Sequence, residues 1–282
     1  MKKVFSLVVV FAVLLTSSVF GEDLVNHLQD ISVTVMVESP FQKGSGSGVI
    51  ITRGVKPTAT SNETVKTNFV LTAGHVVDIL RTVRTVVEDG KEKKIVEFDT
   101  MSIVKDLVEN GRKVGETRMQ GRVLKYSDSE TGEDLALCML HKTNFINTST
   151  KFYLEDDKIV KIGTPLFHVG SLLGQGGSNS MTTGIMSQVG RVIPLGNSGG
   201  VIFDQTTVTA FPGSSGGGVF IAEGDHAGKY CGMLVRGAGE TFNLIVPARR
   251  LHSWAVKNNL EWVLDESKPI PTLEELNKIT VE

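Results

Sequence analysis

Along most of the chain, hydrophobic residues fall into short runs separated by glycine and polar turn residues. In the first half the runs are 31–37, 47–52, 68–72, 81–87 with 95–98, 118–126 and 135–141. In the second half they are 164–169, 181–193, 201–209, 218–222, 230–236 and 242–247. They are rich in Val, Ile and Thr, which suit a pleated, half-buried surface. Short runs spaced by turn signals predict the strands of a sandwich or barrel. About six per half fits an all-β chain of two six-stranded antiparallel β-barrels. The polar, turn-rich segment 142–161 connects them. Residues 99–116 are charged and contain Asn110-Gly111, which predicts a surface hairpin excursion. After Pro247 the period changes. Leu251, Trp254, Ala255, Leu260 and Val263 recur at helical spacing over 248–264. Pro269 and Pro271 break that pattern, and a short final helix is expected over 273–278.

The first residues read differently. Lys2 and Lys3 precede an apolar run over 4–15, followed by small and polar residues to Gly21. That is the basic, apolar, small-residue order of a secretory signal peptide, with cleavage expected after Gly21. The run is too short for a comfortable membrane span, although an uncleaved N-terminal anchor is the alternative. The expected organisation is therefore a signal peptide over 1–21, a first barrel over 22–142, a second over 143–247, and a C-terminal helix and tail over 248–282. Export places the protein in a periplasm or outside the cell, without stable membrane association after cleavage.

Composition adds exclusions. With 29 Lys and Arg against 31 Asp and Glu, the formal charge is −2, so nothing draws the chain to nucleic acid. The six histidines are scattered, with no HExxH and no paired CxxC, so no metal and no other cofactor is expected. Gly174-Gln175-Gly176-Gly177 lacks the lysine and strand-to-helix setting of a phosphate loop. Cys138 and Cys231 lie in apolar runs of different halves and read as buried free thiols.

Three local patterns carry candidate chemistry. His75 follows a β run that ends in Thr72-Ala73-Gly74, and imidazole is the side-chain base that titrates near neutrality. Asp134 heads the apolar run 135–140, where a partly buried carboxylate can hold an imidazole tautomer. Ser215 stands in Pro212-Gly213-Ser214-Ser215-Gly216-Gly217. This loop is tight enough for the N–H groups of Gly213 and Ser215 to form an oxyanion hole. Each has a plain structural alternative: a satisfied histidine, a solvated turn acid with Asp128 and Glu133 as neighbours, and a glycine-rich turn. The three together, in this order, point to acyl transfer. The spacings of 59 (75 to 134) and 81 (134 to 215) put histidine and aspartate in one half and serine in the other, so the site is expected between the barrels.

At this point the chain resembles the trypsin-like serine peptidases of chymotrypsin fold, closest to the bacterial HtrA/Deg group. Gly46-Ser47-Gly48-Val49-Ile50-Ile51 is similar to that group's early strand. Thr72-Ala73-Gly74-His75-Val76-Val77, Asp134-Leu135-Ala136-Leu137 and Gly213-Ser214-Ser215-Gly216-Gly217 are similar to its three catalytic motifs. Thr183-Gly184-Ile185-Met186-Ser187 and Ile245-Val246-Pro247 resemble later segments, so the likeness covers roughly residues 25–255. It implies a serine endopeptidase acting on polypeptides through an acyl-enzyme. It also implies a primary pocket built from Thr209, Ala210 and Phe211, from Leu234, Val235, Arg236 and Gly237, and from residues 243–245. No acid stands at that pocket's base, so small or medium apolar residues are expected before the cut. Arg236 at the rim could instead favour an acidic neighbour.

The resemblance has departures. Gly196-Asn197-Ser198-Gly199-Gly200 matches the group's serine motif letter for letter, better than residues 213–217 do. Strand counting favours Ser215, which has three runs of the second half before it and three after. Position 214 is Ser where trypsin has an aspartate that pairs with the new N-terminus, so trypsin-style zymogen activation is not expected. HtrA proteases usually carry a PDZ domain, whereas only a helix and tail are expected after Pro247. The likeness leaves the oligomeric state open. The competing reading is a catalytically silent binding protein on a protease fold.

Overall fold

The protein is described as a computed structural model covering residues 18–282 except 110, 156, 196–198, 238 and 240. The basic and apolar N-terminal segment therefore lies outside the described residues. Helix α1 (Ser18–Asp30) leads into the first sheet, and the expected junction after Gly21 falls within it.

The first closed barrel has the order β1-β2-β3-β8-β7-β6. Its strands are β1 (Ser32–Glu38), β2 (Lys43–Val55), β3 (Val65–Thr72), β6 (Met101–Glu109), β7 (Arg112–Ser127) and β8 (Leu135–Leu140). The segment Leu135–Leu140, read as one apolar run, is buried along its whole length between β3 and β7. The second closed barrel has the order β10-β11-β14-β13-β12-β9. It comprises β9 (Pro165–Leu172), β10 (Gly177–Pro194), β11 (Gly200–Thr206), β12 (Gly218–Ile221), β13 (Tyr230–Gly237) and β14 (Asn243–Pro247). Closure removes the free edges that would otherwise template unwanted pairing.

Two strand readings need correction. Residues 81–98 supply no barrel strand: β4 (Arg81–Glu88) and β5 (Lys91–Phe98) form a separate two-stranded ribbon turned at Asp89-Gly90. Conversely, 99–116 is no excursion, because Met101–Glu109 and the start of β7 are barrel strands. Their charges find partners: Asp106 is buried and paired with Lys113 at 2.8 Å, and it accepts a hydrogen bond from Ser178 Oγ at 2.6 Å.

The C-terminal helix is also broken. Helix α3 (Ala248–Lys257) ends where Asn259 takes a left-handed backbone (φ 57°), and a short α4 (Glu261–Leu264) follows. The break lets the chain cross from the second barrel to the first. Trp262 packs edge-on to Phe69 with centroids 5.0 Å apart. Buried Arg53 of β2 donates to the carbonyls of Trp262 (3.0 Å) and Val263 (2.9 Å). A single turn α5 (Leu273–Leu276), capped reciprocally by Thr272 and Glu275, then leads to a tail where Tyr126 N–H donates to Val281 O. The C-terminal segment thus touches both barrels, with α3 packed on β13 and β14 and the tail bonded to β7. Cys138 and Cys231 are free and buried in β8 and β13, where burial pushes the Cys138 thiol up to about 12.

Candidate active site

The site assembles from the ends of three strands. β3 ends at Thr72, and His75 follows on the one-turn helix α2 (Gly74–Val77). Asp134 immediately precedes β8 and is held in a left-handed backbone (φ 57°), nearly completely buried. Its Oδ1 accepts from the His75 backbone N–H at 2.9 Å, and both carboxylate oxygens lie 3.0 Å from His75 Nδ1. An ionised carboxylate can accept but not donate, so the contact favours a proton on Nδ1 and turns Nε2 outward. The ring is one-third exposed, so Nε2 can meet a substrate. The preceding turn is fixed by Asp128 Oδ1, which accepts from the amides of Glu130 and Thr131 at 2.7 and 2.8 Å.

Ser215 stands between β11 and β12, with β9, β10 and β11 before it and β12, β13 and β14 after it. A turn from Phe211 to Ser214 opens the loop, with Ser214 N–H and Oγ both donating to Phe211 O. Gly213 has φ 93°, and a side chain there would press on Gly174. Gly216 has φ 87°, and a Cβ on it would collide with the Ser47 carbonyl and the Thr72 hydroxyl and lie 2.9 Å from Ala73 N. The serine loop thus packs directly on the residues that precede His75. The Ser215 hydroxyl makes no hydrogen bond among the described residues, the His75 ring included. In substrate-free sites that contact is often long and tightens in the complex.

Two carbonyls in the loop are tied down. Leu173 N–H donates to Pro212 O at 2.7 Å, and Gly217 N–H donates to Ser214 O at 3.0 Å. Across a planar trans peptide the N–H points opposite to the C=O. The amides of Gly213 and Ser215 are therefore aimed away from those contacts, and neither has a protein acceptor among the described residues. The arrangement offers two free donors to an oxygen that gains charge beside Ser215.

The sequence did not single out the residue that ties this loop to the first barrel. Ser47 Oγ donates to Gly213 O at 2.7 Å and accepts from Ser171 N–H at 2.7 Å, while Ser47 N–H donates to Ser215 O at 2.7 Å. In the sequence it stands within the motif Gly46-Ser47-Gly48-Val49-Ile50-Ile51, whose glycines allow close approach but assign it no hydrogen-bonding role. Ser198, the alternative serine, lies outside the described residues, in the connection between β10 and β11.

A cleft of about 730 Å³ opens beside Ser215, lined by Thr209–Pro212, Ser214, Leu234–Gly237 and Gly239. Residues 243–245, expected beside it, turn into the core instead: Asn243 donates to Val208 O, and Leu244 and Ile245 are buried. β12 begins opposite Met233, so β13 beyond that point has no strand on its site-facing edge. There Leu234 exchanges hydrogen bonds with Gly216 and Gly217 of the serine loop.

Beneath the loop lies His168 of β9, fully buried, with Nδ1 donating to Gly218 O at 3.0 Å and Nε2 unpartnered. A Cβ on Gly217 would lie 2.5 Å from its ring. Burial pushes its pKa down to about 4. The unfolded ring titrates near 6.5. Between these values the unfolded chain holds a proton that the folded ring refuses. This contribution to stability is therefore complete above pH ~6.5 and falls as pH drops toward ~4. We expect a loss of about 2–3 kcal/mol between pH ~7 and ~4.5 from this residue. Denaturant unfolding at the two pH values measures it, and in His168→Gln the drop should shrink by that amount; an equal drop in both proteins would refute the assignment.

Comparisons with known proteins bear on the family and the fold. The profile of the family described as Trypsin-like peptidase domain matches residues 46–228. No curated protein matches the chain. Among solved structures, the HtrA-type protease AlgW with tripeptide superposes with a TM-score of 0.57 at 18% identity, over 85% of this chain and 63% of that one. The serine endoprotease from Yersinia pestis gives 0.56 at 15% identity, over 85% of this chain and 66% of that one. The chain thus spans just under two thirds of the length of these structures, and at such identities the likeness speaks for the fold.

Proposed function

This chain belongs to the trypsin-like peptidase domain family, and on that premise we propose that it is a serine endopeptidase that hydrolyses polypeptides through an acyl-enzyme. Ser215 Oγ attacks the peptide carbonyl carbon while His75 Nε2 takes the hydroxyl proton. Asp134 keeps the proton on Nδ1 and offsets the positive charge that the ring gains. The carbonyl oxygen, now an oxyanion, sits against the amides of Gly213 and Ser215. His75 then returns its proton to the leaving amine, the C–N bond breaks, and water repeats the sequence to release the acyl group. The observation that carries this reading is the Asp134–His75 contact, with both carboxylate oxygens at 3.0 Å, beside a loop whose two free amides are aimed by fixed carbonyls.

The cleft sets the proposed preference. Thr209, Ala210, Leu234 and Val235 give it small and apolar walls, and no acid lines it among the described residues. That favours small or medium apolar residues before the cut over Lys or Arg. Cut sites in an unfolded protein substrate, mapped from the new N-termini, should be preceded by Ala, Val or similar residues. A predominance of Lys or Arg there would overturn this preference. The basic-then-apolar segment at residues 2–15 supports export to a periplasm or the exterior as part of the same reading.

A further inference from the structure

Arg236 lines the cleft beside Ser215, and peptide-bond hydrolysis gives it no task. We propose that Arg236 is a specificity-determining residue that selects an acidic side chain N-terminal to the scissile bond; this rests on the serine-peptidase reading above.

A guanidinium has five N–H donors in a planar fork suited to a carboxylate. Arg236 is half-buried and, among the described residues, uses one of them, Nη2 to Ser129 O at 3.2 Å, while its Nε is buried without a partner there. It has no ion pair among the described residues. In the adjacent turn, Asp128 is engaged by the Glu130 and Thr131 amides, Glu133 by Arg250 at 2.6 Å, and Asp134 by His75. Arg249 and Arg250, by contrast, each hold a carboxylate of the chain itself. A partly desolvated cation without a counter-charge is costly, and a ligand carboxylate would relieve that cost.

A substrate in extended form can add to the site-facing edge that β13 leaves free, antiparallel as β12 is. Leu234 touches the serine loop, and residue numbers on β13 rise away from it. An antiparallel substrate runs the other way, so residues near Arg236 precede the cut. The contact of Arg236 with Ser129 also sets it across the groove, against the turn that carries Asp134.

The test uses pairs of peptides that differ only by Glu or Gln at the second, third or fourth position before the cut. At one of these positions the Glu peptide should have a kcat/KM about tenfold higher, a charge-assisted bond's worth of discrimination, and high salt should reduce the ratio. In Arg236→Gln the ratio should fall to near one, and Arg236→Lys should restore part of it. The same pairs, used to protect Ser215 from a fluorophosphonate, read the preference without turnover. Cleavage or protection with equal rates for Glu and Gln would overturn the role of Arg236 alone. Absence of fluorophosphonate labelling would instead overturn the peptidase reading on which it rests.

Discussion

Replacing Ser215 by alanine should lower kcat/KM for peptide hydrolysis by at least about 10⁴-fold, because the attacking atom itself is lost. The change should leave the fold in place. The Ser215 hydroxyl has no hydrogen bond among the described residues, whereas its backbone is held by Ser47 and by the Gly216–Leu234 contact, which alanine keeps. The expected change in unfolding free energy is within about 0.5 kcal/mol. Steady-state kinetics with a denaturant melt separate these two quantities. Activity within tenfold of the parent would remove Ser215 from the mechanism, and a collapse of stability would make the loss of activity uninformative about it.

Asp134→Asn should cost about 10⁴-fold in kcat for a different reason. Asp134 Oδ1 accepts two donors from His75, the backbone N–H and the ring, and Oδ2 faces Nδ1 as well. An amide keeps one acceptor and replaces the other with a donor. The retained oxygen goes to the backbone N–H, and the amide N–H then confronts Nδ1. The ring answers by moving its proton to Nε2, where it can no longer accept from Ser215. Imidazole nitrogen chemical shifts would show the tautomer change directly, in parallel with the kinetic loss. Normal kcat in the Asp134→Asn protein, or an Nδ1 that is still protonated there, would contradict this role.

Much of this architecture was legible in the sequence because strand burial leaves a plain mark. The runs of the second half correspond to β9 through β14, and the short apolar run Leu135–Leu140, bounded by turn residues, reads as a buried strand and is one. The failures have physical causes. Asp106 and Lys113 sit in barrel strands because they neutralise each other, and a reading by polarity alone makes such a segment a loop. The runs at 81–87 and 95–98 have strand composition yet pair only with each other, since composition does not choose a partner strand. The break before α4 depends on the left-handed Asn259, which helical spacing of the apolar residues conceals. At the site, local motifs sufficed to propose His75, Asp134 and Ser215. The parts played by Ser47 and Leu173 could not be read in that way, because each is a contact between segments distant in the sequence. The count of three strands on each side of Ser215 matches its loop, whereas Ser198 lies outside the described residues.

The central claim is that Ser215, made nucleophilic by His75, forms the covalent intermediate. It is tested most directly by reacting the protein with a fluorophosphonate and locating the adduct by peptide mapping. The account predicts one modified serine, Ser215, with labelling lost in His75→Ala as well as in Ser215→Ala. An adduct on Ser198, or no adduct on a folded protein, would contradict it.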